Sequence, residues 1–209
     1  MQYLVHHLPI AHRTFVEFGV EDYRESNTRF LLVHEDWQGL VMDGSAEFIA
    51  GRRRDEIHWR HDLQAIAAFV TRENIDGLLR DSGFDPDLGL LSIDIEGNDW
   101  WVWEAITAVR PRIVVCEYNA IFGHDPVTTP YDPAFRRMAA HHSGLYFGAS
   151  LSALEHLAHR KGYVLPAATR AGRTRSSCAT TSPRRASRSA RRRRTWCAAR
   201  ASRATHSAG

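Results

Sequence analysis

Residues 14 to 45, TFVEFGVEDYRESNTRFLLVHEDWQGLVMDGS, constrain what this chain can fold into more than any other stretch. Phe15, Val16 and Phe18 make a short apolar run around Glu17, and Gly19 then supplies the backbone freedom for a sharp turn. Ser26, Asn27 and Thr28 can cap a helix beginning near Arg29, because N–H groups at a helix start have no partner within the helix. Gly39 to Asp43 reads as a second strand ending on a carboxylate. Strand, turn, helix and strand make the opening unit of an open α/β sheet, whose ligands sit outside the carboxyl ends of the strands. A carboxylate closing the second strand normally bonds a ribose hydroxyl, so the layout predicts a nucleoside-containing ligand.

The loop after the first strand narrows that ligand. It carries one glycine followed by Glu21, Asp22 and Glu25, and it lacks the G-x-G-x-x-G that cradles a pyrophosphate. Three acids repel a pyrophosphate but tolerate a ligand bearing a sulfonium and an amino group. The charge pattern favours S-adenosylmethionine over a dinucleotide such as NAD, with a cofactor-free α/β domain as the plain alternative.

The alternation of elements continues. Leu63 to Val70 is a third strand, and Thr71 with Asn74 has capping-box spacing for a helix that Gly83 ends. Leu90-Leu-Ser-Ile-Asp94 is wholly apolar up to its acid, as expected at the centre of a parallel sheet. Asp94, Glu96, Asn98 and Asp99 crowd its end. Asp94 and Glu96 then face cofactor or substrate; the plainer reading makes Asn98 or Asp99 an N-cap and turns Glu96 to solvent. Trp100, Trp101 and Trp103 cannot share one helical face, so Trp103 is assigned to the core and at least one other to a pocket or subunit interface. Pro111 to Asn119 is a fifth strand ending on Glu117, Tyr118 and Asn119. Glu17, Asp43, Asp94 and Glu117 thus gather at one sheet edge. Phe122 to Pro133 reads as a substrate lid, Leu151 to Arg160 as a helix capped by Ser150, and Lys161 to Leu165 as the start of a sixth strand. A divalent metal on Asp94, Glu117 and His124 is conceivable, but no dense ligand motif supports it and none is expected.

Composition changes abruptly at residue 166. Residues 166 to 209 hold 12 Arg, no Lys and no acid, and no Val, Ile, Leu, Met, Phe or Tyr. Removing those 12 from the chain's 27 basic residues leaves 15 against 24 acidic ones, a formal net charge of −9 for residues 1–165. Residues 1–165 suit one domain; the tail cannot build a core and is expected to be disordered. A basic arm of this kind could bind nucleic acid. A coding argument points elsewhere. Ser176 to Pro183 can be encoded by TCT TCG TGC GCG ACG ACC TCG CC, and starting one T earlier the same bases give Phe-Phe-Val-Arg-Asp-Asp-Leu-Ala, a strand and an acidic turn. The tail is therefore read as out-of-frame translation beginning close to Leu165, with the C-terminal hairpin lost. Cys116 sits in an apolar run and Cys178 and Cys197 in the tail, so no disulfide framework is implied. The start MQYLVHHLPIAHRT lacks a signal-peptide pattern and no apolar run approaches the roughly 20 residues of a membrane span, so a cytoplasmic location is expected.

On FVEFGVEDYRESNTRFLL, WQGLVMDGS, FVTRENI, LLSIDIEGNDWWVWEAI, PRIVVCEYNAIFG and SGLYFGASLSALEHLAHRKGYVL, the chain resembles class I S-adenosylmethionine-dependent methyltransferases of the FkbM-like family. The resemblance spans most of residues 14–165 and implies a Rossmann-like doubly wound α/β sheet. It implies a cofactor site with Glu17 and Gly19 at the methionine part, Asp43 at the ribose and Asp94 beside them; Asn27, Ser45 and Glu96 are the further candidates for the cofactor. It implies methyl transfer to a small-molecule or sugar hydroxyl, with Asp94 where cofactor and acceptor meet. A hydroxyl acceptor also needs a base for its proton, and Glu117 or His124 is the candidate. The family's G-x-G stands here as Gly19-Val-Glu21. An NAD-type oxidoreductase remains the alternative enzyme.

Overall fold

The computed structural model describes residues 1–21, 23–53, 56–170 and 194–200. Its strands are β1 (Thr14–Phe18), β2 (Gln38–Asp43), β3 (Leu63–Ala67), β4 (Leu90–Ile93), β5 (Ile113–Tyr118), β6 (Tyr163–Arg170) and β7 (Arg194–Arg200). The helices are α1 (Gln2–His7), α2 (Arg29–His34), α3 (Ala46–Arg53), α4 (Glu56–Arg60), α5 (Ile75–Asp81), α6 (Asp99–Ala105), α7 (Arg137–Ala140) and α8 (Leu151–Arg160). One sheet runs in the order β3-β2-β1-β4-β5-β7-β6. β1 to β5 are parallel, and β7 lies antiparallel between β5 and β6. This is the doubly wound α/β sheet that the sequence predicts. Its order reverses beside β1, which places the switch point, and hence the ligand crevice, at the ends of β1 and β4.

Why these segments form a two-sided sheet is visible in their alternation. Val16, Phe18, Leu40, Met42, Leu91, Ile93, Val114 and Cys116 pack on one face with Ile75 and Leu79 of α5, Val102 and Trp103 of α6, and Leu154 and Leu157 of α8. Phe15, Val41, Leu90, Ile113 and Val115 pack on the other with Leu31 and Leu32 of α2, Ile49 and Ile57. Each fully buried side chain of this size contributes roughly 1.5–3 kcal/mol, so both faces hold the sheet. Gly39 sits in β2 because the Phe15 ring occupies the space beside it; a Cβ there would lie 2.0 Å from that ring.

Local signals set the helix starts. Thr71 Oγ1 accepts from the Asn74 N–H at 3.3 Å and Asn74 Oδ1 accepts from the Thr71 N–H at 2.8 Å, a reciprocal cap ahead of α5. Ser150 Oγ accepts from the Ala153 N–H at 3.1 Å and starts α8 where expected. Trp103 is buried, as assigned.

The C-terminal end departs from expectation. β6 runs past Leu165 to Arg170, and β7 pairs with β5 from Ile113 to Tyr118, so the hairpin expected to be lost is present in the backbone. The β6–β7 ladder bulges between Val164 and Ala167, where Pro166 has no N–H to donate. The disorder expected over the rest of the tail falls on residues 171–193 and 201–209, which lie outside the described residues.

Candidate functional site

Three strand ends converge on Gly19. Its N–H donates to Met42 O at 3.0 Å, and the Asp94 N–H donates to Phe18 O at 3.3 Å. Gly19 has φ +73°, and a Cβ on it would lie 1.8 Å from Asp94 O. Both the conformation and the approach require glycine.

From this point the loop to α2 is folded by Glu17. Its Oε1 accepts from the Asn27 N–H at 2.9 Å and from Ser92 Oγ at 3.1 Å; its Oε2 accepts from the Thr28 N–H at 3.2 Å and from the Thr28 hydroxyl. Burial pushes the Glu17 carboxyl above its ordinary range, and the bonds from Thr28, Asn27 and Ser92 draw it part of the way back. Asn27 Nδ2 also donates to Ser92 Oγ at 3.1 Å. Glu17 borders the site, while its oxygens shape the loop that forms the wall.

Asp43 closes β2 as expected. Its Oδ2 accepts from the Glu21 N–H at 2.9 Å and its Oδ1 from the Ser45 N–H at 2.7 Å. A carboxylate has about four lone-pair sites, so two remain for hydroxyl donors. Glu21 takes φ +44°, a left-handed conformation that glycine adopts more readily than a residue with a Cβ.

Two compartments open from these elements. The smaller, 140 Å³, is lined by Glu17, Gly19, Glu21, Glu25, Ser26, Asn27, Asp94 and Glu96. The larger, 540 Å³, is lined by Gly19, Glu21, Asp43, Ser45, Phe48, Phe69, Asp94, Glu96, Asn98 and Phe135 to Met138. They share Gly19, Glu21, Asp94 and Glu96. Of the seven residues assigned to the cofactor from sequence, Glu17, Gly19, Asn27, Asp94 and Glu96 line the smaller compartment, and Asp43 and Ser45 line only the larger.

The three residues assigned to catalysis separate. Asp94 is at the shared wall. Glu117 is buried and lines neither compartment. His124 is exposed on the turn after β5, where Gly123 takes φ +66° and the His124 carbonyl accepts from Ser152 Oγ at 2.6 Å; its side chain does not reach the cleft. The residue that joins Asp94 and Glu117 is Asp99, with carboxylate oxygens of all three within 4.8 Å of one another. Burial, then the Asp94 charge, pushes Asp99 up to about 7. Asp99 Oδ1 accepts from the Ile95 N–H at 3.0 Å and Oδ2 from the Gly97 N–H at 2.9 Å, which fixes the β4–α6 turn. Oxygens so placed are also those a hard cation takes, and His124 is not part of that set.

The expected lid is tied down instead. Thr129 O accepts from Trp101 Nε1 at 2.9 Å, Asp132 O accepts from Asn98 Nδ2 at 2.7 Å, and the Tyr131 hydroxyl donates to Glu73. Trp100 Nε1 donates to Ala153 O at 3.1 Å, so neither Trp100 nor Trp101 borders the cleft. The cleft wall comes from Phe135 to Met138, just beyond the lid segment. Sequence reasoning missed Phe48, Phe69, Arg136 and Arg137 as lining residues; Phe69 opens the FVTRENI segment without being singled out, and the other three sit in none of the matching segments. Among the described residues no helix is long and apolar enough to cross a membrane.

No family model and no curated protein matches the sequence. Solved structures do. A chain from a complex with the Haloferax volcanii Trm112 methyltransferase activator aligns at TM-score 0.47 and 14% identity, over 80% of this chain and 69% of its own. An S-adenosylmethionine-dependent methyltransferase from Clostridium acetobutylicum aligns at 0.46 and 8%, over 90% and 84%. A Geobacter sulfurreducens S-adenosylmethionine-dependent methyltransferase in complex with S-adenosyl-L-homocysteine aligns at 0.40 and 16%, over 79% and 62%. These are likenesses of general architecture, and the strand order carries the fold.

Proposed function

We propose that this chain is a cytoplasmic, FkbM-like methyltransferase that uses S-adenosylmethionine to methylate a hydroxyl of a small molecule or sugar. One observation carries the reading: a small acidic compartment and a larger one with a strand-end carboxylate meet at a shared wall of Gly19, Glu21, Asp94 and Glu96. Glu21, Glu25 and Asp94 suit the cationic amino-acid end of such a cofactor, and with Glu96 they oppose a pyrophosphate. Asp43 suits the ribose, with Phe48 and Phe69 offering aromatic faces beside it. When bound, the cofactor supplies an electrophilic methyl group. Gly19 keeps the strand ends close, Glu17 holds the loop, Asp99 holds the β4–α6 turn, and Asp94 at the wall is placed to take the acceptor's proton. Photo-crosslinking of labelled S-adenosylmethionine tests the reading: labelling that excess S-adenosylhomocysteine suppresses and excess NAD does not supports it, and suppression by NAD alone favours the oxidoreductase.

We also propose that translation leaves the intended frame near Leu165. A β-hairpin ordinarily closes through about 2–5 residues. Here Arg170 and Arg194 are separated by residues 171–193, while the alternative frame offers a strand and an acidic turn over positions 176–183. Independent reads of the coding DNA through this point decide it: a missing or extra base supports the proposal, and a clean frame contradicts it.

A further inference from the structure

Glu96 occupies an unusual position. It has φ +57°, lines both compartments, and pairs with Arg137, whose guanidinium donates to Glu96 Oε1 at 3.3 Å. A left-handed backbone at a residue with a Cβ costs roughly 1–2 kcal/mol, so the turn holds Glu96 there against its preference. Arg137 is itself fixed. Its Nε donates to Gly144 O at 2.6 Å, its Cζ lies 3.7 Å from the Phe147 ring centroid, and only 15% of its side chain is exposed. Glu96 is the more exposed partner, at 34%. One ion of this pair is anchored and the other is at the wall between the compartments.

This inference rests on the methyltransferase reading above. A ligand with its amino-acid end in the smaller compartment and its nucleoside end in the larger one must carry its connecting sulfur past the shared wall. The sulfur's charge changes in the reaction. The acceptor oxygen forms a bond to the methyl carbon, the carbon–sulfur bond breaks with its electron pair kept by sulfur, and the acceptor proton goes to a base or to water. A sulfonium cation becomes a neutral thioether.

We propose that Glu96 and Arg137 form an exchangeable ion pair that reads this charge: Glu96 turns to the sulfonium when methylated cofactor is bound and returns to Arg137 when only the thioether remains. Arg137 is then a positioning residue that competes with the cofactor for Glu96. The pair weakens the hold on spent cofactor without a change in its other contacts, since the two ligands differ at the site by one charge and one methyl group. Coulomb attraction at an effective dielectric near 20 makes such a preference about tenfold or more at contact distances of several ångströms.

Calorimetric titration of S-adenosylmethionine and of S-adenosylhomocysteine into the 209-residue chain tests this, with circular dichroism to confirm that each variant is folded. Glu96→Gln should weaken S-adenosylmethionine about tenfold and S-adenosylhomocysteine less than about twofold. Arg137→Gln should raise the preference for S-adenosylmethionine, because Glu96 loses its competing cation. Arg137→Lys keeps the charge and should restore the wild-type ratio even if both affinities fall. Equal changes for both ligands in Glu96→Gln, or an unchanged ratio in both Glu96→Gln and Arg137→Gln, would overturn the exchange. Failure of the folded wild-type chain to bind either ligand would instead overturn the methyltransferase reading on which it stands.

Discussion

Gly19 and Asp94 approach so closely that a Cβ on Gly19 would sit 1.8 Å from the Asp94 carbonyl oxygen. The contact joins the loop after β1 to the end of β4, and both compartments open from it. Gly19→Ala adds a strained left-handed backbone to a clash with main chain that cannot move aside. The expected loss is more than about 2 kcal/mol in urea unfolding, together with loss of S-adenosylhomocysteine binding. A variant with wild-type stability and affinity would show that the strand ends are not held by this approach.

Glu17 acts as the scaffold of the same loop. Glu17→Gln leaves one oxygen to accept where four donors now converge, and turns an amide donor toward N–H groups. We expect destabilisation of about 1.5–3 kcal/mol by chemical denaturation, as for loss of a hydrogen bond to a charged group.

Glu21 presents the opposite case. Its left-handed backbone costs roughly 1–2 kcal/mol, which glycine would relieve at an entropic cost of about 0.5–1 kcal/mol. The bond from its N–H to Asp43 Oδ2 belongs to the backbone and survives the change. Glu21→Gly should therefore leave the melting temperature unchanged or raise it slightly, with Asp43 still in place. A marked fall would mean the Glu21 side chain itself stabilises the loop.

Asp76 gives a pH dependence with a defined sign. It accepts from the Thr107 N–H at 2.8 Å, the Ala108 N–H at 2.9 Å and the Thr107 hydroxyl, and pairs with Arg80 at 3.2 Å. Burial raises its carboxyl, but the bonds from Thr107 and Ala108 and the Arg80 charge outweigh it, and the net shift is downward. A folded value below the unfolded one means its contribution is present above the ordinary pKa of 3.8 and is lost as pH falls through the lower folded value. Asp76→Asn should cost about 1–2 kcal/mol near neutral pH, and its difference from wild type should shrink on acidification below that range. A difference that grows toward acid would contradict this.

Much of the architecture was legible because single-residue chemistry decides it locally. Strand alternation set both faces of the sheet, Ser150 set the start of α8, and Thr71 with Asn74 set the cap of α5. α3 and α4 were not anticipated, since AEFIAGRRRDEIHWR offers only Ile49 and Ile57 to the core and little apolar period. Asp43 and Asp94 were placed from their positions at strand ends. Asp99 was read as a cap at most, because its proximity to Glu117 arises only when β4 and β5 lie side by side. The sequence offers Glu117 and His124 alike as the candidate base, but the turn at Gly123 leaves His124 exposed and outside both compartments. Arg137 lies 41 positions from Glu96, and nothing between them signals the pairing.

The most direct test of the central claim is calorimetric titration of S-adenosylhomocysteine into the folded chain and into Asp43→Ala. The account predicts saturable binding of about one ligand per chain, lost or weakened by at least tenfold in the variant, as expected when a hydrogen bond to a buried-edge carboxylate is removed. Absence of binding by the folded wild-type chain, or equal binding by Asp43→Ala, would contradict it.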